Sequence, residues 1–110
     1  MVTPEQARSL ALRLPGAVEQ DHHGRPSFRI AGKIFATLWD AQHVNVMLDS
    51  DGILTAVQAD PDTCAERCWD RRLAAVSVNL ARVSPDALLE LLSDAWEAQA
   101  PAGSRRQGPG

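Results

Sequence analysis

The stretch from Ser27 to Leu48, SFRIAGKIFATLWDAQHVNVML, decides the fold, because apolar side chains recur in it at nearly every second position. A period of two is typical of strands that bury one face. Two short breaks, Ala31-Gly32 and Asp40-Ala41-Gln42, suit tight hairpin turns. The stretch therefore predicts three consecutive antiparallel strands.

Strict alternation sorts the side chains of these strands onto two faces, since opposed residues of a hairpin project from the same side of a sheet. The predicted helix-facing side is aliphatic and carries Ile34, Ala36, Leu38, Val44, Val46 and Leu48. Arg29 projects from that side as well. The opposite side is aromatic, basic and polar, with Phe28, Lys33, Phe35, Thr37, Trp39, His43, Asn45 and Met47. This second side is the candidate binding surface.

Helix signals flank the strands. Thr3-Pro4 followed by Gln6 predicts a capped helix that ends by Leu14, and Ser84-Pro85-Asp86 predicts a C-terminal helix. Asp49 or Ser50 can begin a middle helix. Asp60-Pro61 marks a further helix start, so Cys64 to Trp69 is predicted to be helical, either as a second short helix or as part of one broken helix.

A fourth strand is predicted around Val76, Val78 and Leu80, which alternate with polar residues. The predicted fold class is therefore α+β with two layers: an antiparallel sheet of four to five strands and helices packed on one face, in the order α-β-β-β-α-β-α. Residues 1–100 are predicted to form one domain. Residues 101–110 lack apolar periodicity and are predicted to be a flexible tail.

Composition narrows the classes of function. The chain has 110 residues, of which 45% are hydrophobic. This length is sufficient for one hydrophobic core and too short for two. It carries no apolar run long enough to cross a bilayer and no signal-peptide pattern at Met1, so we expect a cytoplasmic protein without a membrane partner. The net charge of -3 opposes broad attraction to nucleic acid. A nucleic-acid role therefore requires a local basic patch.

The segment Asp21 to Ile30, DHHGRPSFRI, followed by Gly32 to Ala36, GKIFA, resembles the central signature of the YjbR (MmcQ) family. Val44 to Leu48 and the helix from Ser84 to Trp96 extend the resemblance over nearly the whole chain before the tail. The resemblance implies a two-layer domain of the secretion-chaperone-like type. It also implies DNA binding, which is the label commonly given to the family, and no catalytic residues.

The sequence departs from the family pattern in one place. The family usually has a Trp at the start of the last strand, but Arg71-Arg72-Leu73-Ala74 occupies that stretch here and Trp69 comes earlier. A ligand contact that depends on the family's Trp is therefore not expected at the same position.

The favoured hypothesis is a non-catalytic module that binds nucleic acid, because exposed aromatic rings flanked by cations can stack on bases. An alternative is a protein-interaction module, such as a homodimer, that hides Phe35 and Trp39 from water. A small-molecule pocket ranks third. The candidate nucleic-acid-binding residues are Arg25, Lys33, Phe35, Trp39, His43, Arg71 and Arg72.

Two other chemistries receive less support from the residues. His22, His23 and His43 with Cys64 and Cys68 match no zinc-binding spacing, and adjacent histidines in a strand point to opposite faces. Both cysteines are interpreted as buried structural residues. Ser27 with His23 and Asp21 supplies only the residue types of a nucleophilic site. We therefore expect no catalytic residues, no metal and no cofactor.

Overall fold

The computed structural model describes residues 1–101, which form three helices and one six-stranded antiparallel sheet. The elements in chain order are α1 (Pro4–Leu12), β1 (Val18–His22), β2 (Arg25–Ile30), β3 (Lys33–Leu38), β4 (His43–Val46), α2 (Ser50–Ala59), β5 (Cys64–Trp69), β6 (Arg72–Asn79) and α3 (Pro85–Gln99). The strand order is β1-β2-β3-β4-β6-β5. The predicted α+β class is confirmed. The tail predicted at 101–110 lies, beyond Pro101, outside the described residues.

Local capping explains where the helices begin. Thr3 and Gln6 form the predicted capping box at α1. The Asp49 side chain accepts a hydrogen bond from the Gly52 amide, which makes Asp49 the N-cap of α2. Ser84 accepts one from the Ala87 amide at α3. Each side chain satisfies an amide that has no partner within its helix.

Three strands differ from the sequence prediction. β1 lies at one edge of the sheet with every residue exposed, so it shows no alternation of apolar and polar side chains. The segment 64–69 was predicted to be helical but forms β5, because Asp60-Pro61 leads into a turn instead of a helix. β6 begins at Arg72, four residues before the predicted strand. These differences raise the strand count from the predicted four to five to six.

The three helices of residues 1–101 pack on one face of the sheet. α1 and α3 contact each other and β3, whereas α2 contacts β5 and β6. The core between the layers holds fully buried aliphatic side chains from both, including Val44, Val46, Val76, Leu88 and Leu92. In this part of the chain the opposite face of the sheet carries no helix.

A β-bulge between β2 and β3 controls which side chains face the core. Arg29 pairs with Ile34, but Phe28 pairs with Ala36, so Phe35 is one extra residue in β3. Phe35 is 0% exposed and belongs to the core cluster. An extra residue in one strand shifts the alternation on either side of it.

The bulge overturns part of the predicted face assignment. Phe28 and Phe35 lie in the core instead of on the binding surface. Ile34 and Arg29 lie on the helix-free face, although both were predicted to face the helices. Lys33 pairs with the core residue Ile30 and therefore lies on the helix side. Strict alternation therefore gave the wrong face to two residues of β2 and three of β3: Phe28, Arg29, Lys33, Ile34 and Phe35.

Candidate functional site

A cavity of about 250 Å³ lies on the helix-free face of the sheet. We call it the sheet-face cavity. Its walls include residues of β2 and of β5, which stand near opposite ends of the strand order, so the sheet must curve around it. The lining residues are His22, His23, Arg25, Ile34, Thr37, Trp39, Asn45, Met47 and Trp69.

Trp39 is held by two arginines. The Cζ atom of Arg25 lies 3.9 Å from the centroid of the Trp39 ring, and that of Arg67 lies 4.3 Å from it. The Nε–H of Arg25 also donates to the Trp39 carbonyl at 2.8 Å. A guanidinium over an indole is attracted by the negative face of the ring. The contacts fix both cations beside the cavity.

The two guanidinium groups have no acidic partner in the described part of the chain. Within residues 1–101 the ion pairs are Arg8 with Glu19 and His43 with Asp40. No carboxylate of these residues neutralises Arg25 or Arg67. Two cations held close to one ring without counter-charge create a positive potential that favours an anion.

Charge is segregated between the two faces of the sheet. The strand register places four arginines on the cavity face: Arg25, Arg29, Arg67 and Arg72. The acidic strand residues Glu19, Asp21 and Glu66 pair with residues of the helix side. Among the six described strands, the cavity face therefore carries basic but no acidic side chains, although the chain as a whole has a net charge of -3. This distribution supplies the local basic patch that a nucleic-acid role requires.

Polar side chains are buried on the cavity face of β2 and β4. The Ser27 hydroxyl donates to the Gln20 carbonyl at 2.8 Å and accepts from Arg29 Nε at 3.1 Å. Asn45 is 0% exposed, and neither its Oδ1 nor its Nδ2 has a hydrogen-bond partner among residues 1–101. Buried polar groups are nearly always hydrogen-bonded. Asn45 is therefore an exception that requires a physical reason.

His43 stabilises the turn between β3 and β4. Its Nδ1 lies 3.0 Å from Asp40 Oδ1, and its carbonyl accepts from the Trp39 amide at 2.9 Å. The Gln42 amide, which donates to Asp40 at 2.8 Å, lowers the pKa of that carboxyl, with a further contribution from His43. His43 faces the cavity side by register but is not among the residues that line the cavity.

The structure separates the seven predicted site residues. Arg25 and Trp39 line the cavity, and His43 lies on the same face. Arg72 shares that face because it pairs with Trp69, and Arg71 lies in the adjoining turn with a φ of 67°. Two predictions are wrong. Phe35 is in the core and Lys33 is on the helix side, both because of the bulge.

Arg67 and Trp69 were missed as site residues because their segment was predicted to be a helix. Alternation in a strand would have placed Ala65, Arg67 and Trp69 on one face. The spacing of Cys64 and Cys68 is compatible with one helical turn and outweighed that signal. Arg29 was missed because the sequence pattern does not reveal the bulge.

His22 and His23 also differ from the prediction. Both line the sheet-face cavity, and their ring centroids lie 4.5 Å apart. His23 has a φ of 54° at the turn, so strand alternation no longer applies to the pair. Within residues 1–101 there is no cluster of three or more His, Cys, Asp or Glu side chains suited to hold a metal ion.

The two cysteines differ in accessibility. Cys64 is buried, and burial, with a smaller contribution from the Asp60 carboxylate, raises the pKa of its thiol. Cys68 is exposed, contrary to the prediction that both are buried. We expect a disulfide reagent to modify Cys68 of the native protein quickly and Cys64 only on unfolding. The thiolate is the reactive form, and Cys64 is both buried and kept protonated by its raised pKa. The Cys68→Ser variant should show no fast thiol; a fast reaction in that variant would contradict the burial of Cys64.

A larger opening of about 530 Å³ lies between α2 and α3 on the helix side. It contains five carboxylates, from Asp49, Asp51, Asp60, Glu90 and Asp94. Burial, together with the charges of Glu90 and Glu97, raises the pKa of Asp94. This opening is unsuited to an anionic ligand, so the sheet-face cavity remains the candidate site. None of the helices among the described residues is long and apolar enough to cross a membrane.

Comparisons with known proteins agree with this architecture. The family model described as YjbR matches residues 12–98. The fold is similar to the crystal structure of the Deinococcus radiodurans protein DR2400, which has the family-model domain DUF419. That similarity has a TM-score of 0.75 at 20% sequence identity and covers 97% of this chain and 88% of that chain. Identity at this level shows a shared fold alone. No curated protein matches the sequence.

Proposed function

The chain belongs to the YjbR family, and we propose that this protein is a non-catalytic module that binds single-stranded nucleic acid on the helix-free face of its sheet. One observation carries the proposal: Arg25 and Arg67 both lie over Trp39, and no carboxylate of residues 1–101 pairs with either. Single-strand binders combine cations that follow the backbone with rings on which bases stack. The family's DNA-binding label agrees with this choice of ligand.

The helices favour a single strand over a duplex. Most proteins that recognise a sequence in duplex DNA insert a helix into the major groove. Here α1, α2 and α3 lie on the opposite side of the sheet from the arginines and bear acidic side chains that repel phosphate. These side chains are Glu5, Asp51, Asp86, Glu90, Asp94 and Glu97. Trp69, which is 40% exposed at the end of β5, offers a ring to an unstacked base.

Substitution of Arg67 tests the proposal. We expect Arg67→Ala to weaken binding of a labelled single-stranded oligonucleotide, because it removes one of the two cations beside Trp39. The slope of log K against log salt should fall by about 0.7 for each phosphate that the guanidinium no longer neutralises. Fluorescence anisotropy at several salt concentrations measures both quantities, with DNA and RNA oligonucleotides as separate arms.

Lys33→Ala is the matched control, because it removes the same charge from the helix side of the sheet. It should bind as the unsubstituted protein does. Equal weakening by both substitutions would show that only net charge matters. If the protein binds neither the DNA nor the RNA oligonucleotide at low salt, the proposal is refuted.

The homodimer alternative receives less support from the geometry. In that alternative a second subunit buries Phe35 and Trp39, but Phe35 is already buried in the core of the single chain. Among residues 1–101, the large hydrophobic side chains that are at least 40% exposed are Met1, Val18, Leu54 and Trp69, which are dispersed over separate segments. A stable homodimer generally requires a continuous apolar patch. Light scattering after size exclusion would detect a dimer directly.

A further inference from the structure

Asn45 is a polar residue in a central strand of the sheet. It lies in β4 between Thr37 of β3 and Ser77 of β6, in the middle of the sheet, where Asn is uncommon. Its amide is fully buried, and both polar atoms lack partners among residues 1–101. Leaving such groups unpaired is destabilising in a folded protein. A ligand that hydrogen-bonds to the amide would explain why the residue is there.

The size of the sheet-face cavity limits the ligand. Its volume of about 250 Å³ is below the range of about 300–1,000 Å³ that is usual for drug-sized molecules. Trp39, Trp69 and Ile34 contribute flat or apolar walls. One planar ring system fits such a space better than a flexible or branched molecule.

The chemistry of the amide narrows the choice further. A carboxamide presents an acceptor beside a donor, and it pairs with any edge that presents a donor beside an acceptor. Nucleobases have such edges, and the pairing of Asn with adenine is a common example. The guanidinium groups of Arg25 and Arg67 supply the charge for the attached phosphate.

We infer that the sheet-face cavity receives one unstacked nucleobase, whose hydrogen-bonding edge pairs with the Asn45 amide. The inference rests on the proposed function and adds how a base is held. Because Asn45 is fully buried, entry of a base requires neighbouring side chains to shift. Trp69 has room to do so, since it is partly exposed on an edge strand. Changes of rotamer of this kind are common at binding surfaces.

The test compares an oligodeoxyadenosine with an abasic strand of the same length. The unsubstituted protein should bind the base-containing strand more tightly, and the amide pair should account for roughly a tenfold part of this preference, in addition to stacking. Asn45→Leu replaces the amide by a side chain of nearly the same shape. It should lose this roughly tenfold part of the preference, retain the part that stacking supplies, and keep the same salt slope. Thermal unfolding checks that this variant folds; we expect it to be at least as stable, because Leu removes the unpaired amide.

A second measurement separates this inference from the proposed function. The side-chain ¹H–¹⁵N signals of Asn45, identified by their absence in Asn45→Leu, should shift when adenosine is added. If the protein binds oligonucleotides but Asn45→Leu prefers the base-containing strand as strongly as the unsubstituted protein does, the inference is wrong and the proposed function survives. If no oligonucleotide binds but adenosine shifts the Asn45 signals, the proposed function fails and the base pocket remains.

Discussion

Phe35→Ala is expected to lower the free energy of unfolding by about 3–5 kcal/mol, because it empties a site in the core. The Phe35 side chain is 0% exposed and belongs to the cluster between the sheet and the helices. Domains of this size are stable by only about 5–15 kcal/mol. The variant should therefore unfold at a much lower denaturant concentration, which chemical denaturation followed by Trp fluorescence would measure.

Ile34→Ala is the control for this prediction. Ile34 is adjacent in sequence but lies on the cavity face and is only partly buried. Its truncation should cost clearly less stability than that of Phe35. If the two variants were destabilised in the reverse order, the bulge would be misplaced and strict alternation would describe β3 correctly.

Trp39→Leu is expected to weaken nucleic-acid binding more than any other single substitution. The ring contacts both Arg25 and Arg67, so its removal frees two cations that are now held in place. A hydrogen bond to a charged group contributes about 1.5–3 kcal/mol, and Trp39→Leu affects two such groups whereas Arg67→Ala affects one. Anisotropy titration should show a larger decrease in affinity than Arg67→Ala produces.

Trp39→Phe tests whether the aromatic face is the cause. Phe keeps a ring for the guanidinium groups, although it binds cations less strongly than Trp. Binding should therefore be partly restored. If Leu and Phe at this position bind equally well, the aromatic face of Trp39 does not position the arginines, and the proposed site would have to be abandoned.

The candidate site was predictable where it depended on residue type and turn position. Arg25 and Trp39 were identified from a basic and aromatic pattern around hairpin turns, and both line the cavity. Lys33 was misplaced because it lies between the turn and the bulge. No local signal indicates an extra residue in a strand. Phe35 has a high strand propensity on either face, so the bulge depends on how β2 and β3 fit against the helices.

Arg67 could not be assigned without the strand pairing of its segment. Cys64 to Trp69 fits a helix and a strand about equally well, and the pairing with β6 decides between them. The contact of Arg67 with Trp39 then joins residues 28 positions apart in the chain. Sequence patterns report local periodicity, whereas this contact depends on the curvature of the whole sheet.

The amino-acid sequence by itself determined the starts of α1, α2 and α3, the hairpin turns and the α+β class, because each depends on side chains close together in the chain. Thr3, Asp49 and Ser84 cap amides within three residues of themselves. Tertiary structure alone decided which face Phe35 and Arg29 occupy, and it brought two arginines to one tryptophan. These features depend on strand register and sheet curvature, which are set by packing between distant segments.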